Sequence, residues 1–109
     1  MIIDSFFSSN KIEVIFMEEI SMDDLLKLKD VHIIDIRRKE KYIKGHIPSA
    51  ISIPQDEFFL HISFFSKNKH YYFYCDNGVR SLSLVKKMNL LGYSFTNIHG
   101  GYNNYLLRK

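Results

Sequence analysis

Two stretches of this chain, VHIIDI at residues 31–36 and HYYFYC at 70–75, are apolar or aromatic at nearly every position rather than at alternate ones. Successive side chains of a strand point to opposite faces, so such a run fits a strand only where both faces are covered. Covered strands need helices to cover them, and helical signals lie between and around the two. In EISMDDLLKL, Ser21 can cap a helix with Asp24 at its third position, and Ile20 and Leu25 have the spacing of a hydrophobic staple. Residues 39–44 predict a short charged helix that stops at Gly45. Phe58, Phe59, Ile62 and Phe65 fall on one helical face. Between residues 81 and 91, Leu84, Val85, Met88 and Leu91 recur at helical spacing, and Gly92 closes the run. Shorter β-prone pieces at 12–16, 51–53 and 95–98 complete the alternation. Gly100 and Gly101 then lead into a last helix with Tyr105 and Leu106. Strands alternating with helices predict an α/β fold with a parallel sheet.

At 109 residues the chain is one domain, since halves would be too small to bury good cores. The domain is expected over residues 12–109, after an N-terminal arm at 1–11. A net charge of +3 with scattered lysines reads as a solvated basic face rather than a nucleic-acid patch, so no nucleic-acid partner is expected. The start has no basic n-region, and no apolar run is long enough to span a bilayer, so no membrane association is expected. One cysteine forms no intrachain disulfide, which points to a reducing compartment and a cytoplasmic protein. The five histidines have no zinc spacing with that cysteine, and no metal site is expected.

The lone cysteine stands in YCDNGVRS, between the strand at 70–75 and the helix that follows. A free cysteine at the end of an apolar strand is usually a core residue. The loop after it argues otherwise. In parallel α/β sheets ligands bind beyond the carboxyl ends of strands, where Cys75 lies. The amides of a curled loop and the start of a helix can hold an anion and lower a thiol's pKa. Gly78 stands where the curl would need a positive φ. A core cysteine needs none of this.

With these residues in view, the chain resembles a rhodanese-like domain, the single-domain sulfurtransferase family. CDNGVRS resembles the active loop C-x-x-G-x-R-S, matched by Cys75, Gly78, Arg80 and Ser81. DIRRKEKYIKGHIPSAISIP resembles an upstream signature, matched by Asp35, Arg37, Gly45, His46, Ile47, Ala50, Ile53 and Pro54. There Glu40 and Tyr42 match in type with one residue between them. GYSFTNIHGGYNNY is similar to the family's terminal stretch. Ser49 stands for a usual glycine, Ser52 for an asparagine and Tyr105 for a tryptophan. Asp76 stands directly after the cysteine, where thiosulfate-preferring members often carry basic side chains.

The resemblance implies a single α/β domain with a central, mostly parallel sheet of about five strands flanked by helices on both faces. It also implies a sulfurtransferase: Cys75 takes sulfur from a donor such as thiosulfate or a persulfide, and passes it to cyanide or an acceptor thiol, which can be a protein thiol. No metal or organic cofactor is implied, because the cysteine carries the group. The donor would sit against Asp76, Asn77, Gly78, Val79, Arg80 and Ser81. Arg80 either supports an anionic donor or pairs with an acid such as Asp76. Arg37 could assist at the rim, though a pair with Glu40 is the simpler expectation. Asp35 and His46 are expected to orient neighbouring loops, and Gly100 and Gly101 to be turn residues. Asp76 either repels a dianionic donor or holds the loop through Arg80. Two other readings stay open: a non-catalytic binding or regulatory module of the same fold, and a phosphatase or arsenate reductase. The latter enzymes use C-x5-R, one residue longer than the C-x4-R found here.

Overall fold

The two long β-prone stretches become strands β2 (His32–Asp35) and β4 (His70–Tyr74) in the computed structural model, which describes residues 18–108. They pair in parallel, Ile33 opposite Tyr72 and Asp35 opposite Tyr74. The other elements are β1 (Glu19–Ile20), α1 (Met22–Leu25), α2 (Lys39–Lys44), β3 (Ile51–Ser52), a 3₁₀ helix (Gln55–Phe64), α3 (Val79–Leu90), β5 (Ser94–Ile98) and α4 (Gly101–Leu106). The five strands make one all-parallel sheet in the order β1-β5-β4-β2-β3, which places β4 at its centre. The strand expected at 12–16 and the arm at 1–11 lie outside the described residues. Among the described residues the first strand is β1, paired with β5.

Alternation along the strands divides the core in two. On one face Ile34, Tyr71, Phe73, Cys75 and Phe95 meet Leu84, Val85 and Met88 of α3, together with Phe58 and Phe65. On the other, Ile33, Tyr72, Tyr74 and Ile98 meet Met22, Leu25 and Ile47, with Tyr42, Tyr102 and Tyr105 packed at the edge. Each fully buried side chain of this size stabilises the fold by about 1.5–3 kcal/mol relative to exposure. Both faces are covered, as the unbroken apolar strands require.

Ser21 caps α1 by accepting the Asp24 amide at 3.0 Å, and Ile20 and Leu25 share one cluster, as the staple requires. From the far end of the chain, Arg108 Nε donates to Asp23 Oδ1 at 2.7 Å, tying the terminus to α1. Helix α2 stops at Gly45. The aromatic helix departs from expectation. It is 3₁₀ and kinked at His61, and its tighter winding carries Phe58 inward while Phe59 is left exposed. Ser49 sits at φ +72°, a left-handed conformation that glycine adopts more readily, which fits the expectation of a usual glycine at this position. No helix among the described residues is long and apolar enough to cross a membrane.

Candidate active site

Cys75 leaves the carboxyl end of the central strand, and the chain turns at once to enter α3. That helix begins at Val79, two residues earlier than its apolar spacing suggested, because Gly78 at φ +88° makes the turn. Ser81 is therefore inside the first turn rather than at the cap. From there it faces back to the thiol. Gly78 N donates to Cys75 Sγ at 3.2 Å, Ser81 N at 3.4 Å, and the Ser81 hydroxyl lies at 3.3 Å. Burial pushes the thiol's pKa up, but hydrogen bonds from Ser81 and from the Gly78 and Asn77 amides outweigh it and hold the pKa below its ordinary value. The residue packs in the core, and its sulfur also receives hydrogen bonds from the loop that follows it.

The rest of the loop is divided in its duties. Asn77 Oδ1 accepts the Val79 amide at 3.0 Å, which withdraws that amide from any ligand, and the Val79 side chain stands exposed at the rim. Asp76 is ringed by cations: Lys41 Nζ at 2.8 Å, Arg80 Nη2 at 3.9 Å and Arg37 Nη1 at 4.0 Å. Arg80 is more than half exposed. It borders a cleft of about 300 Å³ that is also lined by Ile36, Arg38, Pro54, Gln55 and Asp56.

Arg37 is placed differently from the expectation of a pair with Glu40. It is buried, its Nη2 donates to Asp35 Oδ2 at 2.7 Å and to the Gly45 carbonyl at 2.7 Å, and its guanidinium lies 4.0 Å over the Tyr102 ring. Asp35 is in reach where Glu40 is not, because two residues on from the strand end the chain folds back over the Asp35 carboxylate. Asp35 also accepts the Tyr74 hydroxyl at 2.6 Å. Burial and that contact both push the Tyr74 phenol far above its ordinary pKa, so it stays a donor. Asp35 therefore orients its neighbourhood as expected. His46 packs flat on Tyr42, with Nδ1 at 2.8 Å from the Tyr42 carbonyl.

Two features of the site escaped the sequence reading. Gly100 and Gly101 do more than turn the chain: they aim the first amides of α4 at the loop, Tyr102 N to the Cys75 carbonyl and Asn103 N to the Asp76 carbonyl, each at 2.9 Å. A Cβ on Gly101 would strike those same carbonyls. The second is Asn97 on β5, buried, which accepts the Ser81 hydroxyl and donates to Glu19 Oε2 at 2.9 Å. Its signal was present: the alternation that puts Phe95 in the core puts a polar residue on the same face two places later. Among the described residues, no three His, Cys, Asp or Glu side chains gather as a metal site.

Comparison with known proteins agrees with this geometry. The family profile described as rhodanese-like domain matches residues 21–108. The chain is 30% identical over 73 residues to the Bacillus subtilis protein named "Putative sulfurtransferase YtwF", covering 67% of this chain and 71% of that one. A Staphylococcus aureus rhodanese-like domain protein of known structure superposes with a TM-score of 0.74 at 35% identity, covering 82% of this chain and 91% of that one. The human single-domain sulfurtransferase TSTD1 shares the fold, with a TM-score of 0.71 at 24% identity over 84% of this chain and 97% of that one.

Proposed function

This chain belongs to the rhodanese-like domain family, and from that premise we propose that it is a sulfurtransferase working through a persulfide on Cys75. The observation that carries the proposal is the convergence of two amides and one hydroxyl on Cys75 Sγ. In the first half-reaction the Cys75 thiolate attacks the outer sulfur of a donor. A new S–S bond forms, the donor's own bond to that sulfur breaks, and the electron pair leaves with the remainder, which is sulfite when the donor is thiosulfate. In the second, an acceptor thiolate or cyanide attacks the terminal sulfur and the electron pair returns to Cys75 as thiolate. Cys75 Sγ carries the charge before the first attack and again after the sulfur is handed on, and the Gly78 and Ser81 amides aimed at it stabilise it there without rearranging. Arg38 and Arg80 at the cleft beside the loop suit an anionic donor or acceptor, a protein thiol among the acceptors. A thiol that must be reduced to act suits the cytoplasm.

Intact-mass measurement after incubation with thiosulfate or a small persulfide tests the proposal. The wild type is expected to gain one sulfur, removable by cyanide, and Cys75→Ser to gain none. An equal gain in Cys75→Ser, or no gain with any donor class, rejects it.

A further inference from the structure

The Ser81 hydroxyl has one proton and two claimants. Its oxygen lies 3.3 Å from Cys75 Sγ and 2.5 Å from Asn97 Oδ1. Asn97 cannot turn to offer a donor instead. Its Nδ2 is already committed to Glu19 Oε2 at 2.9 Å and to the Gly78 carbonyl at 3.2 Å, so Oδ1 must be the atom that faces Ser81. Ser81 and Asn97 are both fully buried, so water does not supply a substitute partner.

From this arrangement we infer that Asn97 is a positioning residue, which withholds the Ser81 proton from Cys75 until the thiolate claims it. With Cys75 as a thiol, S–H is directed to Asn77 Oδ1 at 3.9 Å and the Ser81 hydroxyl donates to Asn97 Oδ1. When the thiol loses its proton to solvent, the hydroxyl rotates to the sulfur and Asn97 Oδ1 is left without a donor. Leaving a buried acceptor unpaired is unfavourable. Asn97 therefore opposes formation of the thiolate, and Glu19 strengthens that opposition by fixing and polarising the amide. In a persulfide the inner sulfur is uncharged, so the hydroxyl returns to Asn97. The device limits how far the hydrogen bonds favour the thiolate and releases a third hydrogen bond to the sulfur only when it is anionic. It rests on Cys75 being the reactive thiol, but not on which donor loads it.

Other charges around the sulfur act without Ser81. On the loop side these are Asp76 with Lys41, Arg80 and Arg37; on the strand side, Glu19 with His99, whose Nδ1 lies 3.5 Å from the Glu19 carboxylate. A double-mutant cycle removes them from the comparison. The pH midpoint of Cys75 alkylation by iodoacetamide is measured for wild type, Asn97→Leu, Ser81→Ala and the double variant. Asn97→Leu is expected to lower the midpoint by about half a pH unit or more, against the intuition that removing a polar partner weakens an anion site. In the Ser81→Ala background the same substitution is expected to leave the midpoint in place. A rise in the midpoint with Ser81 present, or equal shifts in the two backgrounds, overturns the inference. Should Asn97→Leu fold poorly, Glu19→Gln at the exposed carboxylate serves as the second probe: a smaller downward shift is expected, reduced again in Ser81→Ala. Alkylation needs no sulfur donor, so failure to form a persulfide would reject the proposed function and leave this test intact.

Discussion

The Asp76 carboxylate that follows Cys75 would, standing alone, repel a dianion such as thiosulfate. It does not stand alone. Lys41 is within hydrogen-bonding distance, and Arg80 and Arg37 are at the edge of contact, so most of its field is already met by cations. Its backbone carbonyl is held separately by the Asn103 amide, which a side-chain change leaves untouched. Partly exposed ion pairs are worth about 1 kcal/mol or less, which corresponds to about fivefold in an affinity. Asp76→Asn is therefore expected to lower the KM for thiosulfate by less than about fivefold at low salt, with the gain fading as salt rises and kcat little changed. Steady-state kinetics at two ionic strengths check this. A tenfold or larger loss of kcat would show that the carboxylate shapes the loop instead.

The docking of α4 on the loop at Cys75 and Asp76 makes two glycines informative. Gly101 and Gly92 both hold positive φ, at +60° and +98°, but a Cβ on Gly101 meets the carbonyls of Cys75 and Asp76, whereas one on Gly92 meets only the flexible Lys67 side chain at 3.5 Å. Gly92→Ala is expected to cost about 1–2 kcal/mol of backbone strain and to leave the thiol alone. Gly101→Ala adds displacement of the loop, for a total of about 2–4 kcal/mol, and should raise the pH at which Cys75 alkylates. Denaturant unfolding and thiol labelling of the two variants separate strain from displacement; indistinguishable labelling would mean that α4 does not position the loop. This contact pairs residues 75 and 76 with 102 and 103, so the glycines carry no local sign of it. Strands β2 and β4, the cap at Ser21 and the stop at Gly45 were legible because their causes are local: composition, spacing, one side chain on one amide. The aromatic helix was not, since Phe58, Phe59, Ile62 and Phe65 satisfy an α-helical face equally well, and only packing against Phe73 and Phe95 selects the tighter winding.

Across the sheet, the parallel order with β4 central follows from two covered strands joined by helices. The placement of Cys75 at the end of the middle strand follows from the position of HYYFYC. What sequence order cannot display is lateral pairing: Arg37 with Tyr102, Ser81 with Asn97, and at the opposite end of the strands His70 with β5. There His70 Nδ1 lies 2.6 Å from Ser94 Oγ and Nε2 lies 2.7 Å from Thr96 Oγ1, a fit made possible by the register of His70 opposite Ser94 and Tyr72 opposite Thr96. Burial disfavours the charged imidazole and holds the His70 pKa below its ordinary value of 6.5. As pH falls through about 6.5, the unfolded chain takes up a proton at this site before the folded one does. More protons bound by the unfolded state means that stability falls with pH across that window, and the loss is complete below the folded pKa. His70→Gln keeps a donor and an acceptor but cannot be protonated, so its stability should decline less between pH 7 and pH 5 than that of the wild type. Urea unfolding across that range provides the check: parallel declines would show that the strand junction at His70 is not what makes the fold sensitive to mild acid.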